Sequence, residues 1–517
     1  MNRDTVQSCP FKLDRALEFI ERNALWVIAC WTLFYAAIAL FLAHEKPFWN
    51  DELFTFYISR LPAFADVWKA LLTGAEQLPP FFFVITRAVT AVFGPGEISF
   101  RLPEIFGFWL MSIGLFCFLR IRLPVVYAVV GMTFPLITAA FGYAYEARPY
   151  GLVLGFSASA LCCWQAAALA RRRTLWLIGL ALSIAAAISC HYYAVLGFTA
   201  IFVGECVRSL NKRRFDLGIW SAFAAGFIPL IFFLPLIKAA RSYSSTFWSK
   251  PKWANVLGFY NALLTPAALA LFILLIVLGM YAIMRPGYSS AEAPLKRKIP
   301  LDEIAAILAF SLIPLIGIVL AKAVTGAFNF RYALPAVIGL SVLVGWTSSA
   351  LARNRTGTGL LLLLTLLVLS VANGGKSYLE LRSTLADRAY AYNFVTREAS
   401  TLPLVIADPH LFFELSYDVS QRRSKTKLLY LANTALALKY TDTDTVERGL
   451  LTLKRWAPLD VRDFNQFCAK HDAFLVYGYP APFGWLVEDL IAQRWTLVVK
   501  ARSGDRLLYI ASRPHGP

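Results

Sequence analysis

The sequence predicts a polytopic α-helical membrane protein of about eleven transmembrane helices, followed by a small α/β domain. Three observations carry this. The chain has 517 residues, 58% hydrophobic and only 16% charged, whereas soluble domains average about 25% charged. Apolar stretches recur up to residue 373, each close to the roughly 20 residues that a span needs. Short basic loops connect alternate pairs of these stretches. A mean hydropathy of +0.57 agrees with the composition.

The expected spans are 24–43, 102–119, 123–142, 150–170, 174–190, 193–210, 217–237, 263–284, 303–322, 333–351 and 357–373. The basic loops hold Arg120 and Arg122; Arg171, Arg172 and Arg173; Arg208, Lys212, Arg213 and Arg214; Lys296, Arg297 and Lys298; Arg353 and Arg355. Lys and Arg near helix ends stay on the cytoplasmic side. These loops and residues 1–23 are therefore expected inside, and an odd number of crossings puts the C-terminus outside. The first span follows a polar N-terminus and reads as a retained signal anchor in the cytoplasmic membrane. A net charge of +18 would suggest nucleic acid in a soluble protein. Here much of the excess sits in the short loops, where membrane orientation explains it, so no nucleic-acid partner is expected. The 14 Trp, 22 Tyr and 40 Phe suit interfacial anchoring. The eight Cys, with Cys9 and Cys468 far from the rest, show no disulfide framework and no CxxC pair.

Three regions are expected: residues 1–23, a cytoplasmic N-terminus; 24–375, the membrane domain; and 376–517, an extracytoplasmic α/β domain. Within the second, 44–101 is a large outer loop. Phe64, Val67, Trp68, Leu71 and Leu72 recur at helical spacing, which predicts a helix lying in the interface plane. Residues 81–93 are too few to span. After 376 the apolar runs shorten to strand length at Leu404–Ala407, Phe474–Tyr477, Thr496–Val499 and Leu507–Ile510. A helix is expected over Trp485–Gln493, and Gly504-Asp505 suits a hairpin between the last two strands.

The outer connections concentrate ionisable groups. Asn50-Asp51-Glu52 follows the first span. Asn50 or Asp51 could simply cap a helix running to about Arg60, or one carboxylate could serve as a general base at the bilayer surface. Neighbours at i and i+1 do not share a helix face, so at most one of Asp51 and Glu52 points squarely into a site. Gln77-Leu78-Pro79-Pro80 suits a rigid turn. Arg101 opens the second span, Glu146 and Arg148 precede Tyr150 at the fourth, His191 lies in the tight turn between the fifth and sixth, and Arg331-Tyr332 precedes the tenth. A carboxylate beside several guanidinium groups is what sugar transfer from a lipid phosphate needs. The acceptor hydroxyl must lose its proton, and the leaving phosphate needs its charge stabilised.

At these residues the chain resembles the GT-C membrane glycosyltransferases, in the group containing protein O-mannosyltransferases, lipid A aminoarabinose transferases and rhizobial galacturonosyltransferases. The matching set is Asp51-Glu52, Pro79-Pro80, Arg101-Leu102-Pro103, Arg148-Pro149-Tyr150 and Arg331-Tyr332, in order over roughly residues 24–350. The resemblance implies a polyprenyl-phosphate-linked sugar donor, a lipid, glycan or protein acceptor, and transfer at the outer face. It implies Asp51 as base, with Glu52 beside it, and Arg331, Arg148 and Arg101 on the donor phosphate. Glu146, His191, Tyr150 and Tyr332 are further site candidates. Relatives often carry a His before the Pro-Pro pair, where this chain has Gln77-Leu78. Candidate ligands for a divalent metal ion are Asp51, Glu146 and His191. Two other readings compete. A lipid or sugar transporter or flippase would place ionisable groups near the midplane, and an en bloc glycan ligase would share the chemistry but move a whole oligosaccharide.

Overall fold

A computed structural model describes residues 19–169, 172–284, 298–352, 356–398 and 400–513. Cys9, Arg171, Lys296, Arg297, Arg353, Arg355 and the first 18 residues lie outside the described residues. The protein is a polytopic helical membrane protein with a C-terminal α/β domain. Among the described residues, six helices are long and apolar enough to cross a bilayer, or up to ten if each of four bent pairs counts as one span. Ala336–Leu351, with 16 residues, supplies the counterpart of the remaining expected segment.

Three of the four bends lie at a proline. The pairs Leu217–Phe232 with Leu234–Arg241 and Leu301–Ser311 with Ile313–Thr325 each turn by 61°, and Ala254–Leu263 with Pro266–Met280 by 104°. Pro235, Pro314 and Pro266 stand just after these breaks. Proline lacks the N–H that would continue the helix ladder and clashes with the preceding turn.

Helices Glu97–Arg120 and Tyr150–Leu169 approach until backbones touch. A Cβ at Gly107 would lie 2.4 Å from the Leu152 nitrogen, and one at Gly155 2.3 Å from the Gly107 carbonyl oxygen. Small residues permit such contact in membranes, where packing rather than water exclusion holds helices together. Gly107→Ala is therefore expected to cost about 1–3 kcal/mol by overpacking. A lower unfolding temperature in detergent would register it.

Among the described residues, ion pairs of the basic loops gather at one end of the bundle. Arg120 pairs with Glu21 at 3.3 Å, Arg122 with Glu303 at 2.6 Å, and Arg208 with Asp216 at 2.7 Å. The opposite end carries helices Asn50–Ser59, Phe64–Leu72 and Phe81–Phe93. The expected interfacial helix packs half of its apolar face on protein. Val67 and Leu71 are buried and Trp68 meets Phe233, while Phe64 and Leu72 stay exposed. Arg87 of the short helix ties the preceding loop by donating to the Leu61 and Pro62 carbonyls.

The last membrane helix does not stop at residue 375. It runs from Thr356 to Arg397, 42 residues without a break, and the α/β domain begins after it. Strands β1 (Leu404–Ile406), β2 (Leu428–Ala432), β3 (Val461–Asp463), β4 (Ala473–Gly478), β5 (Thr496–Ser503) and β6 (Arg506–Ser512) form one sheet in the order β3-β2-β1-β4-β6-β5. The first four are parallel to their neighbours, and β6 is antiparallel to both β4 and β5. The hairpin at Gly504-Asp505 joins β5 to β6. Arg388 docks the domain. It grips both Asp418 oxygens at 2.7 Å and donates to the Phe48 carbonyl beside the first outer helix.

Candidate active site

The helix Asn50–Ser59 starts from an extended Trp49. The Glu52 carboxylate, not Asn50 or Asp51, reaches back to accept the Trp49 N–H at 3.4 Å. Glu52 is fully buried. It also accepts from Arg101 at 2.8 and 2.9 Å and from the Ala147 N–H at 2.7 Å. Burial pushes its carboxyl up, but Arg101 and Lys46 outweigh burial and hold it below the usual carboxylate range. Arg101 spends its other donors on the carbonyls of Ala43, Lys46 and Pro47 at 2.7, 2.5 and 3.1 Å. The sequence places Glu52 in catalysis and Arg101 on the donor phosphate. In the structure neither lines the cavity; the pair fastens the end of the first span to the chain before Tyr150. Their residue types gave no sign of this, because only the tertiary fold surrounds Arg101 with acceptors.

Fixing Glu52 inward turns its neighbour Asp51 the other way, into a cavity of about 950 Å³. Arg331 donates to Asp51 Oδ2. Asn50 donates to Asp51 Oδ1 at 3.3 Å. Arg148 donates to the Asp51 carbonyl at 3.1 Å and to Glu76 at 2.7 Å. Lys46 holds Glu146 at 2.9 Å. Burial pushes the Asp51 carboxyl up, yet the guanidinium groups of Arg331 and Arg148 outweigh it and leave Asp51 below its ordinary value. Arg148 and Arg331 are held above theirs. Burial opposes this, but Glu76 and Asp51 beside Arg148, and Tyr150 and Asp51 beside Arg331, prevail.

Local structure aims each group. Asn329 accepts the Arg331 N–H at 3.2 Å and starts the 3₁₀ turn Phe330–Ala333 that presents Arg331. Pro149 separates the irregular Glu146–Arg148 segment from the helix beginning at Tyr150. Aromatic faces surround the cation. The Arg331 guanidinium lies 5.6 Å from the Trp49 ring and 5.7 Å from Tyr150, within cation–π reach. His191 packs between Tyr150 and Tyr332 at 5.4 and 5.2 Å, and Tyr193 stacks on Tyr332 at 4.0 Å. Burial, with Arg148 and Arg331 nearby, pulls the His191 imidazole down to about 3.

Asp51, Arg148 and Arg331 thus converge with Glu146, His191, Tyr150 and Tyr332 on one cavity. The residue-by-residue reading had missed Glu76, the partner of Arg148, although it immediately precedes the Gln77-Leu78-Pro79-Pro80 turn. It had also missed the C-terminal domain, which contributes His410, Thr443 and Thr445 to the wall. That contact is built across the chain. Thr246 bonds Asp444 at 2.5 Å, and the Arg448 guanidinium lies 3.9 Å from the Tyr243 ring. Nothing in local spacing links segments so far apart.

The metal candidates do not form a ligand set. Asp51 and Glu146 each already hold a cation, and the His191 Nδ1 accepts the Tyr193 N–H at 3.1 Å, which leaves the ring proton on Nε2. Among the described residues, no group of three or more His, Cys, Asp and Glu is placed to hold a metal ion.

No family model and no curated protein matches the sequence. Solved structures do match the fold. ArnT from Cupriavidus metallidurans in the apo state superposes with a TM-score of 0.57 at 14% identity, covering 93% of this chain and 98% of that one. The same protein bound to undecaprenyl phosphate gives 0.56 at 14% identity and the same coverage. The chain has this fold, the GT-C type that its ordered motifs predict.

Proposed function

We propose that the protein transfers a sugar from a polyprenyl-phosphate carrier to an acceptor hydroxyl at the outer face of the bacterial cytoplasmic membrane. The observation that carries this reading is the meeting of Asp51 with Arg331, 280 residues away in sequence, in a cavity that Arg148 also lines. The acceptor oxygen attacks the anomeric carbon as Asp51 takes its proton. The bond from that carbon to the phosphate oxygen breaks, and Arg331 and Arg148 receive the charge. Arg suits this because its planar fork grips phosphate at two points. A single displacement of this kind inverts the anomeric centre. The neighbour crystallised with undecaprenyl phosphate supports the carrier class. The grouping of basic pairs at the far end of the bundle supports the outward-facing site.

Mass spectrometry of envelope lipids and glycans, with and without the gene, tests the reading. Loss of a single-sugar increment is expected; loss of a whole oligosaccharide would point to en bloc transfer, and no loss would sink the assignment.

The Asp51–Arg331 contact also fixes a pH dependence. Asp51 titrates below its ordinary range while Arg331 is present, so the base stays charged well into acid. Arg331→Gln removes the stronger of the two opposing charges and leaves Arg148 alone to counter burial, so the carboxyl moves up. The acidic limb of the pH–rate profile is then expected to move to higher pH, together with weaker carrier binding. An unmoved limb would show that the rate-limiting base lies elsewhere.

A further inference from the structure

His191 lies in the turn between helices Arg173–Cys190 and Val195–Lys212 and is only 6% exposed. Its Nδ1 accepts the backbone N–H of Tyr193. An amide N–H can only donate, so Nδ1 carries no proton, and the neutral ring must carry its proton on Nε2. Nε2 bonds no group among the described residues. The Tyr150 and Tyr332 rings on either side fix the plane of the imidazole. His191 and Arg331 share the wall of the large cavity, and both also line a second cavity of about 10 Å³ with Tyr150, Tyr193 and Tyr332.

The surroundings decide what this N–H can serve. Burial, together with the guanidinium groups of Arg148 and Arg331, keeps the ring neutral. A general base needs a lone pair on the nitrogen left free, and so does a metal ligand; that nitrogen, Nε2, bears hydrogen instead. What remains is a fixed neutral donor beside two cations. Asp51 is already satisfied by Arg331 and Asn50. An oxygen of the ligand that the two guanidinium groups attract would serve this N–H as acceptor.

We propose that His191 is a substrate-contacting residue whose Nε2–H donates to a phosphoryl oxygen of the carrier, next to Arg331. The inference rests on the proposed polyprenyl-phosphate donor. A neutral donor adds direction without adding a third positive charge, so the released carrier phosphate is gripped but still departs.

The test uses the full-length protein in nanodiscs, with undecaprenyl phosphate as the probe and binding measured directly. His191→Asn keeps an oxygen to accept the Tyr193 N–H, but its amide nitrogen falls short of the Nε2 position. It is expected to weaken binding about tenfold, the size of one hydrogen bond to a charged group. His191→Gln, whose amide nitrogen reaches the Nε2 position, is expected to stay within about threefold of the parent. Thermal melts identify any variant that has simply lost its fold, and the Gln variant then carries the comparison. The parent and the Asn variant are expected to share one pH profile between about pH 6 and 8, because only the phosphate, common to both, titrates there. Unchanged binding in His191→Asn would overturn the contact while leaving the carrier assignment standing. A step in the parent profile that vanishes in the variant would also overturn it, since the ring would then act as a cation. Failure of the parent itself to bind the probe would overturn both readings.

Discussion

Asp51→Asn is expected to lower the rate of sugar transfer by about 10²–10⁴-fold, the usual contribution of a positioned general base. Asn keeps the volume and can still contact Asn50, so the fold should survive. Two results together identify the role. Turnover collapses, yet undecaprenyl phosphate binds at least as tightly as before, because Arg331 no longer has a carboxylate to hold. A variant that lost carrier affinity and turnover in parallel would mean that Asp51 shapes the phosphate site instead. Transfer at the parent rate by folded Asp51→Asn protein would remove Asp51 from the mechanism. The ion pair also suggests an order of events. Under the proposed function, phosphate drawing Arg331 away would leave the half-buried Asp51 with less opposing charge, and its proton affinity would rise when the acceptor needs a base.

Arg101→Met is expected to destabilise the protein by about 3–5 kcal/mol, the range for removing one partner of a buried ion pair. Glu52 would be left charged in a site with no solvent access, and the carbonyls of Ala43, Lys46 and Pro47 would lose a donor. The expected readout is a large drop in melting temperature and poor yield in detergent. The double variant Arg101→Met, Glu52→Gln should recover part of the loss, because no charge then remains unpaired. Full stability of the single variant would show that water reaches Glu52 and that the pair does not anchor this end of the bundle. Gly107→Ala acts through backbone contact with the Leu152 segment and should add nearly independently.

Much of this was legible in the residues. Hydropathy and loop charge gave a span count that the helices match, and the ordered motifs named Asp51, Arg148 and Arg331, which line one cavity, but also Arg101, which does not. The sequence could say that adjacent Asp51 and Glu52 cannot both face one site, but not which turns inward. That was decided by Arg101, whose full set of acceptors exists only in the folded chain. The charged residues after 375 read as a surface and hid the continuation of the helix, which runs from Thr356 to Arg397 after it leaves the apolar stretch. β2 was missed since Leu428–Ala432 is a fully buried apolar run without alternation, and β3 since only Val461 of its three residues is buried.

The 42-residue helix measures about 63 Å at 1.5 Å per residue, roughly twice the hydrocarbon thickness of about 30 Å. Its upper half therefore stands clear of the lipid as a mast. Arg388, on that upper half, clasps Phe48 on one side and Asp418 on the other, so the mast fixes the altitude of both rims of the chamber at once. Under the proposed function, an acceptor would then be chosen partly by how far its hydroxyl hangs from the membrane, since one tethered too short or too long would not reach Asp51.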